Sequence, residues 1–151
     1  MSHQSQSNNF KAALISDGFV GDVIIPGDAQ YDASLTRFVK NAKRNAALVA
    51  FVKSAEDVSK VIKFVNAQSS ATGSQIPTVV RGGGHSATGA SSSEGGIVID
   101  LSRYVNTVSI DEESKLGYVG GGATWEAVDK EAIKYGLATP GGTVNHVGVG
   151  G

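Results

Sequence analysis

Residues 81–89 read Arg-Gly-Gly-Gly-His-Ser-Ala-Thr-Gly, so three consecutive glycines strip side chains from a stretch flanked by a guanidinium and an imidazole. Successive glycine amides in a turn point into one concavity that receives an anion. Arg81 adds positive charge, and Ser86, Thr88 and Ser91 to Ser93 add hydroxyl donors. The chemistry that these types and spacings serve is the cradling of a phosphate or pyrophosphate. The same residues also fit a glycine-rich turn that crosses a sheet edge and binds nothing, and the local pattern leaves both readings open. His85 can hold a ligand, react with it, or only hydrogen-bond within the loop.

Gly82, Gly84 and Ala87 match the G-x-G-x-x-G/A spacing of a Rossmann dinucleotide turn. That site needs a helix N-terminus directly after the glycines, aimed at the pyrophosphate. Here SATGASSSEGG has no helical stripe and runs into the apolar stretch GIVID, which weighs against it. His3 and His146 stand far from His85 and lack ligand spacing, so no metal site is read. No serine occupies a G-x-S-x-G elbow, and a serine-hydrolase triad is unsupported.

The elements around the loop follow from periodicity. ALVAFV (47–52) has the length of a buried strand. Ser54 with Asp57 resembles a capping box, and Val58, Val61, Ile62 and Val65 follow at helical spacing as a buried stripe. PTVV (77–80) is a second strand that leads into the loop, which makes a βαβ unit with parallel strands. GIVID (96–100) reads as a buried strand, and VNTVSI (105–110) with KLGYVG (115–120) as a hairpin around DEES. Thr124 caps a helix through about Tyr135 with Trp125, Val128 and Ala132 on one face, Trp125 being read as core, and Gly136 at its end. The stretch LATPGGTVNHVGVGG is mostly loop, with His146 facing solvent. Asp100 in IVIDLS orients a loop or serves as a cap or turn residue. At the start, residues 1–8 read as a disordered tail and Asn9 to Ile15 as a short helix. GDVIIPGDAQYDASLTRF follows as an extended piece, a turn and a helix. There is no internal repeat and no linker.

Thirteen basic and fourteen acidic residues leave a formal charge of −1 with neither sign in a long block. That argues against a nucleic-acid or anionic-membrane partner held by bulk charge. No apolar run reaches the roughly 18 residues of a membrane span. The polar start, MSHQSQSNNF, lacks an apolar signal segment, and the absence of cysteine excludes disulfides and thiolate chemistry. Both fit a cytoplasmic location. The twenty glycines gather at 82–84, 95–96, 120–122, 141–142 and 148–151. Such clustering marks close backbone approach or tight turns. Because the chain ends on Val-Gly-Val-Gly-Gly, the middle of a loop, it is expected to be part of a larger domain.

Two long stretches carry a resemblance in which the motifs stand in order: VVRGGGHSATGASSSEGGIVIDLSRYVNTVSID and YVGGGATWEAVDKEAIKYGLATPGGTVNHVGVGG. They resemble the first part of the flavin domain of the vanillyl-alcohol-oxidase and p-cresol-methylhydroxylase superfamily. Its berberine-bridge-enzyme-like branch, which includes sugar and hydroxynicotine oxidases, is the nearest in look. The resemblance implies an α+β, FAD-binding PCMH-type domain, a βαβ unit followed by a mostly antiparallel sheet with helices, truncated. Residues 46–151 would be its N-terminal portion, residues 1–45 a tail and lead-in, and the substrate domain is absent.

The resemblance further implies that Arg81, Gly82, Gly83, Gly84 and His85 cradle the FAD pyrophosphate, with His85 as the point of covalent attachment. Ser86, Gly89 and Ser91 would continue that loop around the cofactor. Pro140, Gly142, Thr143, Val147, Gly148, Gly150 and Gly151 would belong to a second loop along the ribityl chain and isoalloxazine. Doubly linked members carry a cysteine where Val144 stands, which implies a single histidyl link. The implied activity is that of an FAD-dependent oxidase or dehydrogenase: hydride transfer from a small alcohol, sugar or amine, with molecular oxygen reoxidising the flavin. No catalytic base is identified in these residues, and the chain alone is expected to be catalytically incomplete. The alternative is a non-catalytic FAD- or nucleotide-binding fragment or pseudoenzyme.

Overall fold

The computed structural model describes residues 3–150. Its centre is a four-stranded sheet in the order β1-β2-β4-β3, formed by β1 (Asp22–Ile24), β2 (Leu48–Phe51), β3 (Thr78–Arg81) and β4 (Ile97–Asp100). β2 and β4 are apolar runs because both faces of the sheet are covered, and every residue of the two strands is buried. Side chains alternate between the faces. Leu48, Ala50, Ile97 and Ile99 pack with Phe10 and Leu14 of α1 (His3–Ser16) and with Val61 of α3 (Ala55–Thr72). Val49, Phe51 and Val98 pack on the other side with Leu35, which follows the single-turn helix α2 (Tyr31–Ser34).

β2 and β3 run parallel, as the βαβ reading expects, but they are not neighbours. β4 lies between them and pairs parallel with both. The more apolar strand takes the position covered on both faces, and β3, with Val80 exposed, forms the edge. β1 closes the other side antiparallel to β2. Ser54 caps α3 by accepting from the Asp57 amide at 3.3 Å. The capping is not reciprocal, because the Asp57 carboxylate accepts from the amides of Lys53 and Val20, both at 3.0 Å. Asp57 thereby ties the helix start to the approach to β1. Of the expected stripe, Val58, Val61 and Val65 face the core, whereas Ile62 is exposed at the flank of that face and Phe64 packs in its stead.

The expected tail at residues 1–8 is corrected: α1 begins at His3. A polar sequence stays helical there because Ser7 is buried and Phe10 and Leu14 dock on the sheet, and tertiary packing outweighs weak propensity. Met1, Ser2 and Gly151 lie outside the described residues.

The hairpin forms as read. β5 (Val108–Asp111) and β6 (Leu116–Val119) pair antiparallel, and the Asp111 carboxylate accepts from the Glu113 and Ser114 amides inside the turn. α4 (Trp125–Ala132) packs on β5. The Thr124 side chain makes no capping bond; the amides of Trp125 and Glu126 donate instead to the carbonyls of Val147 (3.0 Å) and Asn145 (2.7 Å). The late loop therefore finishes the helix start. α4 ends at Ala132 and tightens into a 3-10 turn over Ile133–Tyr135 before Gly136 in the left-handed region. Among the described residues no helix is long and apolar enough to cross a membrane.

An ionic joint fastens β1 to the segment after β4. Asp22 accepts from the Tyr104 hydroxyl at 2.7 Å and from Arg103 at 2.6 Å, and the Arg103 guanidinium lies 3.6 Å over the Phe51 ring. The Tyr104 hydrogen bond, then Arg103, hold the Asp22 carboxyl below the usual carboxylate range. A depressed acid stabilises the fold above its unfolded value, and that contribution is lost as pH falls through the folded one. The stability gap between wild type and Asp22→Asn is expected to shrink in acid and to be full at neutral pH in urea titrations at several pH values. In the same assay Leu48→Ala, which empties a fully buried site, should cost about 2–5 kcal/mol. Ile62→Ala, on the exposed flank, should stay within roughly 0.5 kcal/mol.

Candidate functional site

The loop of residues 82–96 leaves the C-terminal end of edge strand β3 and returns into central strand β4. Arg81, from which the loop departs, stands in register with Asp100, whereas the loop re-enters the sheet at Ile97, at the opposite end of β4. Arg81 closes β3, and its Nη1 donates to the Asp100 carboxylate at the end of β4 at 2.8 Å. Asp100 is fully buried and also accepts from the Ser102 amide (2.9 Å) and hydroxyl (2.6 Å). Asp100 is thus a turn residue through Ser102 and holds the Arg81 side chain at the end of β3.

A second cation lies beneath the same loop. Arg37 is buried, and its Nε and Nη2 both donate to the Ser91 carbonyl, at 3.1 and 2.8 Å, while Nη1 donates to Thr36 at 2.9 Å. Burial, then the neighbouring Arg81, push its guanidinium down to about 10, so it remains protonated at neutral pH. Arg81 has a carboxylate partner whereas Arg37 donates only to carbonyls, so the floor of the loop has an excess of positive charge.

The glycines have two separate reasons to be glycine. A Cβ on Gly83 would fall 2.5 Å from the Gly148 amide nitrogen, and one on Gly82 would fall 2.8 Å from the Gly121 carbonyl oxygen. The same holds in reverse for Gly148 against Gly83 (2.4 Å) and for Gly150 against Gly121 (2.5 Å). Three glycine clusters thus pack backbone on backbone. Gly84, with φ +68, is needed for its conformation, and so is Gly89 with φ +84. The loop is held from within by the Ser86 hydroxyl, which meets Thr88 at 3.1 Å and the Ala90 amide at 3.2 Å.

One set of atoms stands out. Among the described residues, the buried side-chain polar atoms without a hydrogen-bond partner are Arg81 Nε, His85 Nε2, Ser91 Oγ and Ser92 Oγ. Such an atom costs about 1–3 kcal/mol unless something satisfies it. All four lie in residues 81–92, one of them on the Arg81 guanidinium itself. His85 stacks on Phe38, with ring centroids 3.9 Å apart, and His146 stands 4.9 Å away on the opposing loop. A cleft opens there, lined by Arg37, Phe38, Arg81, Gly83, His85 and His146.

The structure packs Gly82 and Gly83 against Val147 and Gly148, and ties Ser91 to Arg37 of the same cleft. Pro140, Gly142 and Thr143 are exposed and stand apart; Gly141 and Gly142 lie over the Trp125 indole, where a Cβ would come within 2.5 and 2.6 Å of the ring. Trp125 is accordingly half-buried beneath a loop rather than in the main core. Arg37 and Phe38 were invisible to sequence reasoning, since no motif links them to a loop nearly fifty residues later. Among the described residues no group of three or more metal-ligating side chains gathers.

The architecture and the cradle over two cations define a nucleotide-cofactor domain of α+β class. The FAD binding domain family matches residues 46–151, and the chain belongs to that family. The FAD-linked oxidoreductase YgaK of Bacillus subtilis (strain 168) is 36% identical over 87 residues, which covers 58% of this chain and 19% of that protein. The crystal structure of 6-hydroxy-D-nicotine oxidase from Arthrobacter nicotinovorans superposes with a TM-score of 0.79 at 33% identity over 87% of this chain and 27% of its own. Glucooligosaccharide oxidase from Acremonium strictum, described with a 6-S-cysteinyl, 8α-N1-histidyl FAD, shares the fold with a TM-score of 0.79 at 22% identity, over 94% of this chain and 28% of its own. The chain thus spans 19–28% of the length of these relatives.

Asp100→Ala should strand the Arg81 charge and cost about 3–5 kcal/mol in chemical denaturation. Gly83→Val should force the two glycine loops apart. Its expected signature is faster amide exchange across residues 145–150 as well as 82–85, read by hydrogen–deuterium exchange; exchange altered in the first loop alone would contradict the packing.

Proposed function

We propose that the whole protein is an FAD-dependent oxidoreductase, an oxidase or dehydrogenase. It moves a hydride from a C–H bond of a small alcohol, sugar or amine to FAD held by one covalent link through His85, with molecular oxygen as the electron acceptor. Residues 46–151 are the N-terminal portion of its FAD-binding domain, and residues 1–45 lead into it.

The observation that carries this reading is the concentration of four unpartnered buried polar atoms in residues 81–92, one of them on Arg81 itself, beside the buried Arg37 guanidinium. That environment fits a pyrophosphate: Arg81 Nε and the hydroxyls of Ser91 and Ser92 are free donors, and the charge excess beneath them offsets the anion's desolvation. FAD, when bound, supplies the hydride acceptor. This chain's residues supply its seat. Arg81, Gly82, Gly83, Gly84, Ser86, Gly89 and Ser91 hold the phosphates, and His85 holds the ring end. Val147, Gly148 and Gly150 form the facing wall, with Pro140, Gly142 and Thr143 elsewhere on that loop, and Gly151, outside the described residues, belongs to the same cofactor loop by resemblance. With Val144 where doubly linked relatives have cysteine, the link is single. A cytoplasmic location, which the cysteine-free sequence fits, is part of this reading.

The test is acid precipitation of the whole protein, purified with its flavin. Flavin absorbance is expected to remain with the wild-type pellet and to move to the supernatant for His85→Ala. A colourless wild-type pellet would remove the covalent link. Failure of the native protein to carry any FAD would remove the cofactor reading itself. An oxygen-consumption screen over sugars, alcohols and amines then identifies the substrate class.

A further inference from the structure

Phe38 is a large apolar side chain left 58% exposed, yet its ring and its backbone both engage the loop. Its ring lies 16° from parallel with the His85 imidazole at a centroid distance of 3.9 Å. Its amide donates to the Gly84 carbonyl at 3.2 Å, one residue before His85. Its neighbour Arg37 grips the Ser91 carbonyl through two nitrogens. The segment 34–38 therefore clips both arms of the loop, and Phe38 is pressed on the histidine between them. The His146 ring stands 5.2 Å from Phe38 and 4.9 Å from His85 and completes the group.

This stack has little to do with the core, since the ring belongs to neither apolar cluster of the sheet. What it does is restrict rotation of the imidazole. An aromatic pair of this kind favours its stacked arrangement about three- to tenfold.

We propose that Phe38 is a positioning residue for flavin attachment: it fixes the His85 imidazole in the orientation from which a ring nitrogen meets the flavin's 8-methyl group. This inference rests on the reading of His85 as the attachment point. In the attachment step, one C–H bond of the methyl group and the imidazole N–H are replaced by one N–C bond. The two electrons released reduce the flavin ring, and molecular oxygen takes them with the two protons and leaves as hydrogen peroxide. Phe38 exchanges neither electrons nor protons. Its contribution is orientation, which raises the rate of an intramolecular step.

The experiment uses the whole protein prepared as apoprotein under riboflavin limitation and incubated aerobically with FAD. Two quantities are followed in time: total FAD retained on gel filtration, and the fraction that stays with acid-precipitated protein. Phe38→Ala and Phe38→Leu are expected to slow the covalent fraction about three- to tenfold with retained FAD unchanged, and Phe38→Tyr should restore the wild-type rate. Linkage at the wild-type rate in the alanine and leucine variants would overturn the inference alone. Parallel loss of retained FAD and of linkage, or no rescue by tyrosine, would equally overturn it, because Phe38 would then serve folding or binding. Wild-type protein that retains FAD and never links it would sink the His85 reading and this inference with it.

Discussion

The Arg81–Asp100 pair is the joint on which the glycine loop depends. It links the last residues of two neighbouring parallel strands, at the end of the sheet from which the loop departs. Asp100 has no solvent contact, so its charge exists in the fold only because Arg81 and Ser102 satisfy it. Buried pairs of this sort add little net stability over an apolar substitute, yet removal of one partner is severe. Their effect is geometric: Arg81 is held with its Nη1 on the carboxylate, which leaves its Nε turned under the loop without a partner.

Around that joint, charge and backbone packing work in the same direction. Arg37 enters from a segment far away in sequence and donates to a carbonyl rather than a carboxylate, so its positive charge is not neutralised. The glycine clusters at 82–84, 120–122 and 148–150 pack so closely that no side chain fits between their backbones. Side-chain-free backbone leaves amides and charged groups as the local chemistry, which suits recognition of a phosphate. Part of the glycine content is therefore a packing requirement between loops, and only part of it shapes the cleft at His85.

The helix α4 shows the same economy. Its start is completed by carbonyls of the loop at 145–147, the loop that also contributes His146 to the cleft and Gly148 to the contact with Gly83. A helix terminus, a loop contact and one wall of the cleft thus share a single stretch of chain. Displacement of that stretch is coupled to all three, whereas Trp125 anchors only its earlier part at Gly141 and Gly142.

Sequence by itself determined the strands at 47–52, 77–80 and 96–100, the helix from Ser54, the hairpin and the candidate loop, because each is set by local periodicity, caps and turn residues. It also carried the family, through motifs in a fixed order. Tertiary structure alone decided that β4 lies between β2 and β3, that a polar start is helical, and that Arg37, Phe38 and His146 surround Arg81 and His85. The reason is physical. Strand order depends on which faces are covered, a helix of weak propensity depends on what it docks against, and side-chain contacts across fifty or more residues leave no period in the chain that makes them.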